Sequence, residues 1–110
     1  DFAVGDRVQI MARDNGLMLD SVREGVAGVA RRVQGRRILM SLYIDCAGRA
    51  SARSGAAEEE AEIALRASAS LGPFLGFYSG VEIAPVGRAA GAASSPLDWT
   101  AVMSALYWRD

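Results

Sequence analysis

The stretch that most restricts the fold is Ile38 to Ile44, I-L-M-S-L-Y-I. It is almost wholly apolar, short for a helix, preceded by Gly35-Arg36-Arg37 and followed by Asp45-Cys46-Ala47-Gly48-Arg49. Such a run reads as a central strand covered on both faces, and the segment after it as a loop at the strand's carboxyl end. A strand buried this way needs neighbouring strands and covering helices, and the flanking sequence offers both. Arg7 to Met11 alternates, with Val8 and Ile10 on one face, and predicts a short first strand. Asp14 is a capping residue for a helix whose apolar stripe is Met18, Val22, Val26, Val29 and Val33, spaced by four, four, three and four. Gly25 and Gly28 weaken that helix by about 1 kcal/mol each relative to Ala, a cost that close packing on a sheet offsets, and Gly35 suits its end.

Beyond the central run, Ser54-Gly55 leads into a second helix predicted from about Ala56 to Ala69. Glu58, Glu59 and Glu60 fall in its first turns, where the helix dipole favours negative charge and where they read as a solvated helix start. Glu62 and Arg66 are spaced to pair, and Gly72-Pro73 ends the element. Phe74 to Tyr78 predicts another short strand, Ser79 to Glu82 a bend, and Ile83-Ala84-Pro85 its continuation. Gly87 to Pro96 reads as a loop, and Asp98 to Trp108 as a last strand alternating Trp99, Ala101, Met103, Ala105 and Tyr107. The order is β-α-β-α-β-β. The fold class is therefore α/β, a mixed β-sheet with helices packed on it and at least two right-handed crossovers, in a single domain over residues 1–110.

Composition removes several functions. The 110 residues carry 12 basic and 13 acidic groups, net −1, without the strongly basic surface that nucleic acid or a polybasic membrane contact requires. Every basic residue is Arg; Lys and His are absent. Ser-His and Cys-His nucleophile pairs, Schiff bases, the P-loop lysine and histidine-ligated metal or haem all lose their usual parts. A single cysteine makes neither an intrachain disulfide nor a cysteine zinc cage. No run of about 18 apolar residues is present, so no membrane span is expected. With no signal peptide before it, Asp1 reads as the start of a processed or excised piece, and the expected location is cytoplasmic. The first 53 residues carry net +3 and the remainder −4, a split that favours the halves packing on each other.

In α/β sheets ligands bind beyond the carboxyl ends of the strands. Two segments answer that description, Asp45–Ser54 and Ser79–Glu82. If their strands are neighbours, Asp45, Cys46, Arg49, Ser79 and Glu82 line one cleft. Arg49 is suited to clamp a carboxylate or phosphate, or else to pair with Asp45 or Glu82. Gly48 permits a tight turn. Cys46, beside a cation and a helix start, has the setting of a reactive thiol but no histidine base; its commoner fate is a buried, inert cysteine.

Three stretches carry a family resemblance: S-L-Y-I-D-C-A-G-R at 41–49, P-F-L-G-F-Y-S-G-V-E-I-A-P at 73–85 and P-L-D-W-T at 96–100. They resemble the C-terminal half of the FIST family, over about Arg7 to Leu106, with Val81 where the family pattern has Gly. The resemblance implies a bacterial sensory domain of signal transduction that takes small ligands, amino acids among those proposed. It also implies a separate N-terminal FIST half and an output signalling domain as partners. Carried over by position, the matching residues are Cys46, Gly48, Arg49, Gly76, Tyr78, Ser79 and Glu82. Haem, bound by some members, is not carried over to a chain without His, and no cofactor is expected. The ligand-binding set is thus Asp45, Cys46, Gly48, Arg49, Tyr78, Ser79 and Glu82, with Arg49 for a carboxylate and Glu82 for an ammonium, and without catalysis. Two other readings stand beside it: a thiol-dependent enzyme using Cys46, and an interaction module meeting another chain through Tyr107 and Trp108. An isolated half is further expected to expose apolar surface and to form a homodimer through it.

Overall fold

The computed structural model describes residues 3–10, 12–85 and 91–109. Its elements are α1 (Asn15–Arg32), β1 (Ile38–Cys46), α2 (Ser51–Ser54), α3 (Glu60–Ala67), β2 (Phe74–Ser79), β3 (Glu82–Pro85), β4 (Ser94–Leu97) and β5 (Ala101–Tyr107). The fold is mixed α/β. One sheet has the order β2-β1-β5 and a second pairs β3 with β4. β1 runs parallel to β2 and antiparallel to β5, so the apolar run is the central strand, as its composition requires.

α1 forms as the stripe predicts. The Asp14 carboxylate accepts from the Leu17 N–H at 3.0 Å, Val22 and Val26 are buried, and Gly35 takes a positive φ of 76° just past the end. With Ile63 and Ala64 of α3, these valines pack on Tyr43 and Leu71, and Met103 and Ala105 of β5 close the cluster. Tyr43 and Phe74 stack with centroids 6.3 Å apart.

Five expectations are corrected. Arg7 to Ile10 forms no strand: Val8 and Ile10 are 65% and 94% exposed, and Met11 lies outside the described residues. Alternation gives a segment one apolar face, but a strand also needs a ladder partner, and neither edge of the sheet recruits this one. With it goes the first crossover; β1 to β2, through α2 and α3, is the one that links parallel strands among the described residues. The second helix is shorter and divided. Gly55, at φ 68°, closes α2, and α3 begins only at Glu60 because Glu59 is extended (φ −85°, ψ 126°). Its carboxylate is turned toward Ser51, accepting from the backbone N–H at 3.1 Å and the hydroxyl at 2.5 Å.

The strand after the bend does not prolong β2. It pairs antiparallel with Ser94–Leu97, part of the stretch expected to be loop; the stretch's first residues lie outside those described. Pro96 is tolerated there because a two-stranded sheet consists only of edges. Finally, the helices cover β1 on one face only. Ser41, Tyr43 and Asp45 point into the core and are buried, whereas Met40, Leu42 and Ile44 point outward and are only half-buried. Their neighbours on that outer face are Leu75 and Phe77 of β2 and Val102 and Leu106 of β5.

Candidate functional site

The parallel pairing of β1 with β2 brings their carboxyl ends together. Asp45 lies opposite Tyr78 and Cys46 opposite Ser79, and the Ala47 N–H donates to the Ser79 carbonyl at 2.8 Å. The two segments singled out from sequence are therefore adjacent. Within them the residues sort into two groups.

The first surrounds Arg49, which is 6% exposed. Its Nε and Nη2 donate to both oxygens of Glu60, at 2.7 and 2.9 Å, a bidentate pair between buried groups. Asp45 lies on the same guanidinium, with Oδ1 3.3 Å from Nε. Nη1 donates to the Trp99 carbonyl at 2.9 Å and Nη2 to the Met18 carbonyl at 3.5 Å. Four of the five guanidinium N–H groups are thereby engaged, leaving one on Nη1. Burial, reinforced by the nearby Glu60 carboxylate and opposed by Arg49, raises the Asp45 pKa from 3.8 to about 7. The Tyr43 hydroxyl is pushed well above its ordinary range by burial and then by Asp45 and Glu60. The Tyr43 hydroxyl faces the Asp45 carboxyl, but neither the hydroxyl nor the two Asp45 oxygens make a hydrogen bond of good geometry.

Glu60 was not among the expected site residues. Its signal is periodicity: with Ile63 and Ala64 it falls on one face of α3, at i, i+3 and i+4, and that face is the buried one. The acidic run had hidden it among solvated neighbours.

The second group is held by local contacts. Glu82 is 1% exposed, accepts from the Ser79 hydroxyl at 2.7 Å through Oε1, and has no partner for Oε2. Among the described residues it makes no ion pair, so Arg49 and Glu82 are not brought together as a zwitterion clamp would need. The Tyr78 hydroxyl donates to Glu59; burial and this bond raise the Tyr78 pKa. For Glu59, the bonds from Ser51 and Tyr78 outweigh its desolvation and hold its pKa below the usual carboxylate value. Cys46 is a free, buried cysteine.

Gly48 links the loop to Trp99. A Cβ on Gly48 would lie 3.4 Å from the indole nitrogen and 3.7 Å from the Cys46 sulfur. Arg13 sits over the Trp99 ring, 5.1 Å from its centroid, and donates to the Gly48 and Arg49 carbonyls at 2.8 and 3.2 Å. Trp99 has φ 55°, alone among the described non-glycine residues in being positive. That conformation delivers its carbonyl to Arg49.

A groove of about 1020 Å³ lies between α1 and β5. Gly25, Val26 and Val29 line it from α1, Ala101 and Met103 from β5, and Tyr43 and Arg49 from its floor. Of the seven expected ligand residues only Arg49 lines it; Asp45 and Glu60 stand behind that arginine. No three His, Cys, Asp or Glu side chains among the described residues are grouped to hold a metal ion.

The family model of the FIST C domain matches residues 1–85 of the 110. The chain belongs to the FIST C family. Membership makes this FIST C chain a sensory domain of signal transduction. The match covers the D-C-A-G-R and G-F-Y-S segments and stops at the end of β3, before β4 and β5. No curated protein and no solved structure gives a significant match. No helix among the described residues is long and apolar enough to cross a membrane.

Proposed function

We propose that this FIST C chain is the small-ligand-binding part of a bacterial, cytoplasmic signalling protein, acting by binding and not by catalysis. The ligand is a small organic molecule with a carboxylate, the amino acids being the class that the family resemblance suggests. One observation carries the reading. A groove of ligand size ends on two buried polar side chains, Arg49 and Tyr43, that retain hydrogen-bonding capacity. Buried polar groups are normally satisfied, so spare donors under a cavity suit a bound acceptor.

In this reading Arg49 meets the ligand, while Asp45 and Gly48 act through Arg49 and Trp99. Cys46, Tyr78, Ser79 and Glu82 form the adjoining strand-end wall that carries occupancy toward an N-terminal FIST half and an output domain. Self-association through the outer face of the sheet belongs to the same proposal, and light scattering that shows a strict monomer at high concentration removes that part.

Calorimetric titration of the full-length protein with a panel of amino acids and the corresponding carboxylic acids tests the main claim. Saturable heat with a panel member that weakens at least tenfold in Tyr43→Phe supports it. No heat with any member overturns it.

A further inference from the structure

Resting on that reading, we infer that the α1–β5 groove takes a monocarboxylic acid with an apolar tail in preference to a zwitterionic amino acid. The carboxylate is received by the Tyr43 hydroxyl and the remaining Nη1 N–H of Arg49, and the tail lies between α1 and β5.

The groove's lining is the reason. An amino acid carries an ammonium that needs an anionic or carbonyl partner when it leaves water. Glu24 is the one acid that lines the groove, and it is exposed on α1; the buried Asp45 and Glu60 do not line it. The cations that line it besides Arg49 are Arg31 and Arg32, which make no ion pair among the described residues. Along the lining an ammonium therefore meets three guanidiniums, those of Arg31 and Arg32 exposed, against the one exposed carboxylate of Glu24, while a carboxylate meets donors. Between the polar floor and the charged rim the walls are mainly glycine, valine, alanine and methionine with the Trp99 indole, interrupted by Ser21 and Thr100. A volume of about 1020 Å³ stands at the upper end of the roughly 300–1,000 Å³ usual for ligand pockets, more than a free amino acid fills.

Three compounds sharing one branched carbon skeleton separate the possibilities: leucine, 4-methylpentanoate without the ammonium, and 3-methylbutylamine without the carboxylate. Titrated into the full-length protein, 4-methylpentanoate is expected to bind at least tenfold more tightly than leucine, and the amine not at all. Affinity is expected to rise along straight-chain acids from butanoate to octanoate.

Two variants locate the site. Tyr43→Phe removes an unpartnered buried hydroxyl, so its unfolding midpoint stays level or rises while acid binding falls at least tenfold. Gly25→Leu fills the groove from a helix position where a Cβ meets nothing within 4 Å; it stabilises α1 and abolishes binding. Leucine binding as tightly as 4-methylpentanoate, or more tightly, overturns the inference about ligand class and leaves the proposed function standing. Acid binding unchanged in Gly25→Leu overturns the location. Silence from these compounds and from the whole panel overturns the proposed function itself.

Discussion

The two faces of β1 invert the usual relation between polarity and burial. The face under the helices carries Ser41, Tyr43 and Asp45, each at most 2% exposed. The outer face carries Met40, Leu42 and Ile44, is extended by Leu75, Phe77, Val102 and Leu106, and has no helix over it among the described residues. A chain optimised for stability alone would place the apolar set inside. Here the inner face holds an arginine between two carboxylates, which desolvation makes expensive, and the outer face leaves apolar surface for another layer to cover. The difference teaches that the inner face is built around a polar centre and the outer face around contact.

The largest effect is expected where the buried charges are separated. Arg49→Ala leaves Glu60 and Asp45 buried without their cation and should cost about 3–5 kcal/mol, read as a lower urea midpoint. A loss under about 1 kcal/mol would erase the contrast between the faces.

Next is Asp45→Asn, which should act in a pH-dependent way. Asp45 has a folded pKa of about 7, above its ordinary 3.8. Its stabilising contribution is therefore complete below pH 3.8 and disappears as pH rises through about 7. Asn cannot ionise, so the variant should match the wild type near pH 4 and exceed it by up to about 4 kcal/mol near pH 8. The groups facing Asp45 are Tyr43, Arg49, Glu60 and Tyr78. Glu59, whose pKa is lowered, contributes in the opposite direction, with stability that is lost on acidification in both proteins, so the wild-type minus variant difference isolates Asp45. Equal differences at both pH values would break the assignment.

The smallest effect belongs to the outer face. Phe77→Ser, at a position 48% exposed, should change stability by less than about 1 kcal/mol. It should nonetheless reduce both the binding of a hydrophobic dye and self-association in light scattering. A loss of several kcal/mol would mean that this face is part of the core.

Much of the fold was legible because local physics wrote it. The Asp14 cap, the valine stripe of α1, the Gly35 stop, the central strand, Phe74–Tyr78 and the alternation of Ala101, Met103 and Ala105 each follow from propensity and period. What was misread depends on partners. Val8 and Ile10 alternate like a strand yet have none, and Ser94–Leu97 reads as a loop yet pairs with β3. The candidate site divides likewise. The adjacency of the Asp45 and Ser79 ends was legible from the α/β pattern, but the partner of Arg49 was not. Glu60, eleven residues on, reaches it only because α3 begins late and turns that carboxylate inward.

By itself, then, the sequence determined the α/β class, the central strand and an inventory in which arginine is the sole basic side chain. These depend on residue type and short-range spacing. Only the tertiary structure decided that Arg49 spends four of its N–H groups on the protein, that Glu82 stands apart from it, and that the cavity opens between α1 and β5. Each of those facts depends on which distant groups a side chain meets after the chain has crossed over, and spacing along the chain carries no record of that.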